Sequence, residues 1–271
     1  MAYLSDLITS AEELWPISLA EDWDSPGLVT GNVNQEVRRV MLSVDVTAEV
    51  VECAIASGSD LLIAHHPFLM RGVKTLSEST AKGATVASAI RANLAIYAAH
   101  TNADSVQGGV SDAIAETLGL RNLTPLQETS ADSGIGRIGS LADPLTLGEF
   151  ATRIARTLPN TASGVRVAGD YNQLVERVAV CGGAGDSLIA AALSAGVDVY
   201  VTADLRHHVV QDAREQAALK NGKPAIIDVS HWASEFLWLE YAANQLRRIY
   251  PDVAFEVCDL RTDPWDFAIT Q

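Results

Sequence analysis

Two adjacent histidines, His65 and His66, directly follow the apolar run 61–64. A short apolar run bounded by turn signals predicts a buried strand, and open α/β sheets bind ligands at the carboxyl ends of their strands. Neighbouring strand residues point to opposite faces, so the pair suits two ions, or one ion and a supporting contact, better than one chelated ion. The doublet therefore indicates a dinuclear metal site.

Three further residues have side chains and positions that suit the same site. His231 and Glu235 are four apart at the start of a predicted helix, so both lie on one face and can bind one ion together. Asp104 lies in a predicted loop after another strand, where its carboxylate can bridge two cations. Mixed nitrogen and oxygen donors favour Zn, Fe, Mn or Co over a pure Ca or Mg cage.

Each of these elements also has a purely structural interpretation. A lone histidine at a strand end is more often hydrogen-bonded structure than a ligand, and a His/Glu pair four apart is commonly a surface helix contact. The glycine-rich stretch 182–185 resembles a phosphate-cradling turn, but it matches no nucleotide-binding fingerprint, so a tight strand-to-helix turn is favoured.

The elements that must position these residues alternate between strands and helices. We predict strands at 40–44, 61–64, 95–99, 178–181, 197–202, 225–229 and 255–258, with helices between most of them. Thr47 is a predicted helix cap, and Thr146 with Glu149 forms a predicted capping box. This alternation predicts an α/β fold with largely parallel sheets.

An internal repeat indicates two related domains. Residues 39–60 align without a gap on residues 177–198, and both copies contain a strand, a helix closed by glycine and an Asp-led strand. The stretch 123–143 loses periodicity and is taken as the domain boundary. We therefore predict two linked α/β domains: a metal-site domain of residues 1–124 plus 226–271, and a second domain of residues 125–225.

Composition restricts the class of protein. The chain has 271 residues and a net charge of −15, which argues against a nucleic-acid or anionic-membrane partner. Three scattered cysteines suit a reducing compartment, so a cytoplasmic location is expected, and no signal peptide or membrane span is predicted.

Several motifs together resemble one family, the Nif-three-like dinuclear-metal-centre proteins labelled homologues of type 2 GTP cyclohydrolase 1. The matching stretches, which span nearly the whole chain, are Trp23-Asp24-Ser25-Pro26-Gly27-Leu28, residues 59–67, His100-Thr101-Asn102-Ala103-Asp104, residues 182–189, Thr202-Ala203-Asp204 with His208, and His231-Trp232-Ala233-Ser234-Glu235. The resemblance implies two linked α/β domains and a ring-shaped homohexamer.

The resemblance also implies a site and an activity. By motif, two divalent ions would be bound by His65, His66, Asp104, His231 and Glu235. A metal-activated water would open the guanine ring of GTP at C8 and release formate, with His100 and His208 as proton shuttles. Candidates for binding the triphosphate, by position alone, are Arg71, Lys74 and Arg206.

Two alternatives stay open because the ligands specify ions and not a substrate. One is another metal-dependent hydrolase, acting on a phosphoester or an amide. The other is a metal-binding or regulatory hexamer without enzymatic activity.

Overall fold

The computed structural model describes residues 1–130 and 133–269. Two compact units divide the chain. The first contains Met1–Val106 and Leu239–Thr262, and the second contains Gln107–Trp238 and the residues from Asp263 onward. The predicted domains were drawn differently, since residues 107–124, 226–238 and those from Asp263 onward were assigned to the metal-site domain and here cluster with the second unit.

The elements alternate between strand and helix along most of the chain, as the sequence predicted. In chain order they are β1 (Ala2–Tyr3), α1 (Leu4–Leu14), β2 (Gly27–Thr30), β3 (Glu36–Val37), β4 (Arg39–Ser43), α2 (Ala48–Ala56), β5 (Leu61–Ala64), α3 (Ala81–Arg91), β6 (Ala95–Ala98), α4 (Thr101–Ser105), α5 (Val110–Thr117), β7 (Arg121–Ser130), β8 (Ser133–Thr146), α6 (Leu147–Thr157), β9 (Arg166–Ala168), β10 (Leu174–Ala184), α7 (Ile189–Ala195), β11 (Val199–Ala203), α8 (His207–Ala218), β12 (Ala225–Val229), α9 (His231–Ile249) and β13 (Ala254–Val257). Short 3-10 helices lie at Ile17–Leu19 and Asp186–Leu188. None of the helices described is long and apolar enough to cross a membrane.

The first unit is built on a five-stranded sheet with the order β13-β4-β5-β6-β2. The strands from β13 to β6 are parallel, and β2 pairs antiparallel at the edge. All four residues of β5 are buried, which explains why its sequence is continuously apolar instead of alternating. In the hydrophobic core of the first unit, Val50 and Ala54 of α2 pack with Leu62 and Ile96 of the sheet.

The second unit is built on a six-stranded sheet with the order β7-β8-β10-β11-β12-β9. The three strands β10, β11 and β12 are parallel, whereas β8 and β9 pair antiparallel on either side of them. Its core includes Ala192 of α7 together with Tyr200 and Ile226 of the sheet. The predicted α/β class is therefore confirmed: the first sheet is largely parallel, as predicted, and the second is mixed.

The stretch 123–143 has regular structure that the sequence did not predict. The stretch 123–143, expected to be an aperiodic connection, contributes to the two long antiparallel strands β7 and β8, apart from residues 131 and 132, which lie outside the described part. Its glycines allow close strand pairing: a Cβ on Gly134 would lie 2.2 Å from the backbone oxygen of Gln127, and one on Gly139 would lie 2.7 Å from the Leu123 side chain. Small residues that suggest a loop in the sequence here allow close packing within a sheet.

The predicted helix caps are confirmed. The Thr47 hydroxyl accepts a hydrogen bond from the Val50 N–H at 3.2 Å, and Thr146 and Glu149 form a reciprocal capping box. These bonds satisfy backbone donors that have no partner within the first turn of a helix. They fix the starting points of α2 and α6.

The repeat in the sequence corresponds to a repeat in structure. Asp60 Oδ2 accepts hydrogen bonds from the backbone N–H groups of Arg38 and Arg39, at 2.7 and 3.0 Å. Asp198 Oδ2 accepts the same pair of bonds from residues 176 and 177, at 2.9 and 2.8 Å. In each unit the aspartate just before one parallel strand thus binds two consecutive backbone N–H groups at the neighbouring strand.

Candidate metal centre

Three histidines of the first unit converge beyond the carboxyl ends of β5 and β6. His65 and His66 extend the β5 ladder, donating backbone hydrogen bonds to Ser43 and Val44 at 3.0 and 2.9 Å. His100 follows β6 and precedes α4. One ring nitrogen from each of the three lies within 4.8 Å of the other two, which is a spacing compatible with metal binding. The edge predicted for the site is therefore where the imidazoles lie.

The Nδ1 atom of each of these rings faces an oxygen. His65 Nδ1 lies 2.8 Å from the Ala99 carbonyl oxygen, which can only accept, so this nitrogen carries the proton. His66 Nδ1 lies 2.7 Å from Asp45 Oδ1, and His100 Nδ1 lies 2.8 Å from Asp24 Oδ1. An oxygen acceptor on one ring nitrogen fixes the tautomer and leaves the Nε2 lone pair for a metal.

The sequence reasoning missed the roles of Asp24 and Asp45. Asp24 also accepts a hydrogen bond from the Thr101 N–H at 3.0 Å, and Asp45 accepts one from the Thr262 hydroxyl. Burial alone would raise the pKa of the Asp24 carboxyl, but the hydrogen bonds from His100 and Thr101 hold it well below its usual range. The available signals were a carboxylate in the turn 21–27 and another just after β4, near the ligand-binding edge.

Asp104 lies in the short helix α4 and not in the loop that was expected. Its Oδ1 is 3.8 Å from His65 Nε2. This separation is long for a hydrogen bond, but two donor atoms that each lie about 2.0–2.2 Å from a common ion are separated by up to roughly 4 Å. The first unit thus places the Asp104 carboxylate beside His65, at a spacing that a shared ion would allow.

His231 and Glu235 meet in the second unit as their spacing predicted. His231 Nε2 is 2.9 Å from Glu235 Oε1, and His231 Nδ1 is 2.8 Å from Asp204 Oδ2. Burial lowers the pKa of His231, but the carboxylates of Glu235 and Asp204 outweigh that effect and raise the pKa to about 11. Asp204 thus contacts Nδ1 of His231 in the same way that oxygen atoms contact Nδ1 of the three histidines in the first unit. The sequence did not predict this role of Asp204.

The glycine-rich stretch 182–185 brings backbone close to this pair. Gly183 has a φ of +64°, and a Cβ added there would lie 2.4 Å from Glu235 Oε1 and 3.2 Å from His231 Nε2. Its N–H donates to the Ser234 hydroxyl at 2.9 Å. The stretch ends β10 and precedes a 3-10 helix at Asp186–Leu188, in agreement with the structural interpretation.

The remaining candidates are less closely associated with these groups. His208 is exposed at the start of α8, and its ring packs against that of His207 with centroids 5.1 Å apart. Arg206 forms an ion pair with Asp186 at 2.6 Å, and Arg71 and Lys74 lie exposed after β5. The structure thus places His100 beside the candidate ligands His65 and His66, whereas it leaves His208 at the surface.

Comparison with known proteins gives a consistent result. A family model described as Duf34/NIF3 (NGG1p interacting factor 3) matches residues 2–264. A protein of Streptomyces coelicolor named "GTP cyclohydrolase 1 type 2 homolog" is 45% identical, over 98% of this chain and 94% of its own length. One of the same name from Clostridium perfringens is 32% identical, over 97% of this chain and 99% of its own length.

Solved structures agree with this match. A Bacillus cereus protein related to NIF3 superposes with a TM-score of 0.89 at 27% identity, covering 98% of this chain and 99% of its own. The Staphylococcus aureus protein SA1388 superposes with a TM-score of 0.88 at 27% identity and the same coverage. The chain therefore belongs to the Duf34/NIF3 family.

Proposed function

We propose that this protein is a dinuclear metal-dependent hydrolase that resembles type 2 GTP cyclohydrolase 1. Its proposed ligands for two divalent ions, which we expect to be Zn, Fe, Mn or Co, are His65, His66, Asp104, His231 and Glu235. The observation that carries the proposal is the oxygen acceptor on Nδ1 of each of these three histidines. Such contacts fix the tautomer and ring orientation of histidines that bind metals.

The donor set fits the proposed ions. Imidazole nitrogens with carboxylate oxygens suit borderline divalent ions, and the buried positions of His65 and Glu235 would exclude bulk water from part of the site. Bound divalent ions would supply Lewis-acid charge and lower the pKa of water toward neutrality. The protein itself supplies the orientation of each ligand.

In the proposed reaction two water molecules are consumed at C8 of the guanine ring of GTP. Both C–N bonds of that carbon break, the nitrogens take up protons, and the carbon leaves as formate. His100 is suited to move these protons, because Asp24 holds its Nδ1 and leaves Nε2 for exchange. His208 stays the second proposed proton shuttle. GTP is proposed because curated relatives carry the cyclohydrolase name.

Two further properties belong to the proposal. A homohexamer is expected from the family resemblance. A cytoplasmic location fits the free thiols of Cys53, Cys181 and Cys258.

A second candidate is hydrolysis of another substrate at the same ions. One observation favours it: Arg206, one of the three cations proposed for the triphosphate, is already paired with Asp186. A substrate smaller than GTP would need fewer cations than a triphosphate does.

The test is formate release from GTP by purified protein loaded with Mn²⁺ or Zn²⁺. We expect formate with wild type and a loss of at least about 100-fold in the Asp104→Asn and Glu235→Gln variants, since removing a metal ligand removes the activated water. Asp252→Asn, which changes an exposed aspartate outside the proposed ligands, is the matched control. Absence of formate from metal-loaded wild type would reject GTP as substrate, and turnover of a phosphoester or amide would then support the second candidate.

A further inference from the structure

An exposed tryptophan lies beside the three imidazoles of the first unit. Trp23 is 60% exposed, and the centroid of its ring is 5.9 Å from that of His100, with the two planes at 79°. The His100 ring is in turn 5.2 and 5.4 Å from the rings of His65 and His66. The indole is thus a solvent-facing extension of the histidine cluster at the candidate metal centre.

The turn that carries Trp23 is fixed on both sides of the indole. A single exposed apolar side chain is ordinary on a protein surface, so exposure alone does not indicate a site. Here, however, the Glu21 N–H donates to the Thr101 hydroxyl at 3.0 Å, and the Asp24 N–H donates to the Glu21 carbonyl oxygen at 2.9 Å. The Asp24 side chain is fully buried, and its carboxylate accepts hydrogen bonds from the Thr101 N–H and hydroxyl. The turn is therefore anchored to the start of α4.

An indole held on a fixed turn is suited to bind a planar ring. A tryptophan side chain has only two rotatable bonds, so little conformational entropy is lost when a ligand covers it. Aromatic rings stack on one another with a gain in free energy beyond that of their buried area, whereas a sugar, a phosphate or an aliphatic amide has no π-face to stack. The exposed indole of Trp23 therefore favours a ligand that contains an aromatic ring.

The charge expected at the neighbouring histidines favours a neutral ring. The face of an indole also attracts cations. The two divalent ions proposed at the metal centre would repel a cationic ligand, because like charges at short range repel strongly. A neutral heteroaromatic ring, such as a purine base, avoids that repulsion.

We propose that Trp23 forms a stacking subsite for a heteroaromatic ring of the substrate, next to His100. The inference rests on the proposed function, because it places the ring beside the ions that would activate water. It also narrows the substrate class: GTP contains such a ring, whereas a simple phosphoester or amide does not.

The nucleoside 8-azaguanosine, titrated by isothermal calorimetry into purified protein loaded with Mn²⁺, is the probe. Its ring has nitrogen in place of C8, so the proposed reaction cannot release formate from it during the titration. We expect saturable binding that weakens about tenfold in Trp23→Ala, a loss within the range found when the stacking partner of a base is removed. Trp23→Phe, which retains an aromatic ring, should stay within about threefold of wild type.

Tyr171→Ala is the matched control. Tyr171 is an aromatic residue of the second unit that is 67% exposed and lies just before β10. This variant should bind the probe as wild type does. No saturable binding to wild type, unchanged affinity in Trp23→Ala, or an equal loss in Tyr171→Ala would overturn the assignment.

The metal content and the assembly mass of Trp23→Ala exclude indirect causes. Both should equal those of wild type, because the proposal makes Trp23 neither a metal ligand nor a subunit contact. A loss of bound metal would show that Trp23 supports the histidines instead. A smaller assembly in sedimentation would assign the indole to an interface between copies of this chain.

Kinetics with GTP separate this inference from the proposed function. We expect Trp23→Ala to raise the KM for GTP. Formate release with an unchanged KM in this variant would overturn the stacking subsite alone. Binding of 8-azaguanosine through Trp23 without any formate release from GTP would reject the proposed reaction and leave the stacking subsite in place.

Discussion

Asp45 Oδ1 lies 2.7 Å from Nδ1 of His66, and the other carboxylate oxygen of Asp45 accepts a hydrogen bond from the Thr262 hydroxyl. The carboxylate is thus held at both oxygens. This arrangement fixes the tautomer of His66 and aims its Nε2 away from Asp45. The finding connects residues far apart in sequence within a single unit.

Replacing Asp45 should therefore weaken metal binding without removing a ligand. We expect Asp45→Ala to lower metal affinity about 10- to 100-fold, the usual cost of losing a residue that orients a ligating histidine. Competition with a chromophoric chelator measures the affinity. Asp252→Ala, an exposed aspartate of the same unit, is the control and should bind as wild type does. Equal affinity of Asp45→Ala and wild type would show that His66 needs no such support.

Gly183→Ala should displace Glu235, because the added Cβ would lie 2.4 Å from its Oε1. Gly196→Ala is a matched control: its φ is +65°, close to the +64° of Gly183, but a Cβ there would have no atom within 4 Å. Both variants should lose about 1–2 kcal/mol of unfolding free energy from the left-handed backbone. Denaturant unfolding measures that loss, and elemental analysis measures bound metal.

Metal content separates the two glycine variants. Gly183→Ala should lose metal, and Gly196→Ala should retain it. If both variants bind metal equally, the close approach of Gly183 to Glu235 has no role in the site.

The capping box of α6 offers a stability test away from the metal ligands. Thr146→Ala removes the hydroxyl that accepts from the Glu149 N–H at 3.2 Å, so the unfolding free energy should fall by about 0.5–2 kcal/mol. Chemical denaturation measures the change, and metal content should not alter. A loss of unfolding free energy below about 0.3 kcal/mol, smaller than the usual effect of removing a helix cap, would show that this cap does not stabilise the protein.

The stability of metal-free protein should depend on pH through His231. The carboxylates of Glu235 and Asp204 raise its pKa to about 11, above the value of about 6.5 expected in the unfolded chain. The folded state therefore binds more protons between these values, and this contribution, fully present below pH 6.5, is lost as the pH rises toward 11.

Unfolding of wild type and His231→Gln, compared from pH 6.5 to 10 in the presence of a chelator, isolates this effect. We expect the advantage of wild type to shrink steadily with rising pH. An advantage that stays constant or grows over this range would show that His231 is not protonated in the metal-free fold.

Much of this architecture follows from local patterns in the sequence. The continuous apolar run before His65 predicts a buried parallel strand, and the spacing of His231 and Glu235 places them on one helix face. The Thr146 and Glu149 pair predicts a helix start. Each of these signals acts over a few residues, which is why sequence reasoning captures it.

The carboxylates that contact the histidine Nδ1 atoms could not be predicted from such local patterns. Asp24 is 76 residues from His100 and meets it only through tertiary folding. Asp204 was likewise no predicted partner of His231, because it lies in the connection between β11 and α8. The β7 and β8 pairing was missed because its glycines, read as loop-forming, are required for close strand contact.

The most direct test of the dinuclear site is the metal content of the purified protein and its variants. Elemental analysis should find two divalent ions per chain in wild type and in His207→Ala, and one or none in His65→Ala and His66→Ala. Unchanged metal content in either doublet variant would contradict the role of His65 and His66 as ligands.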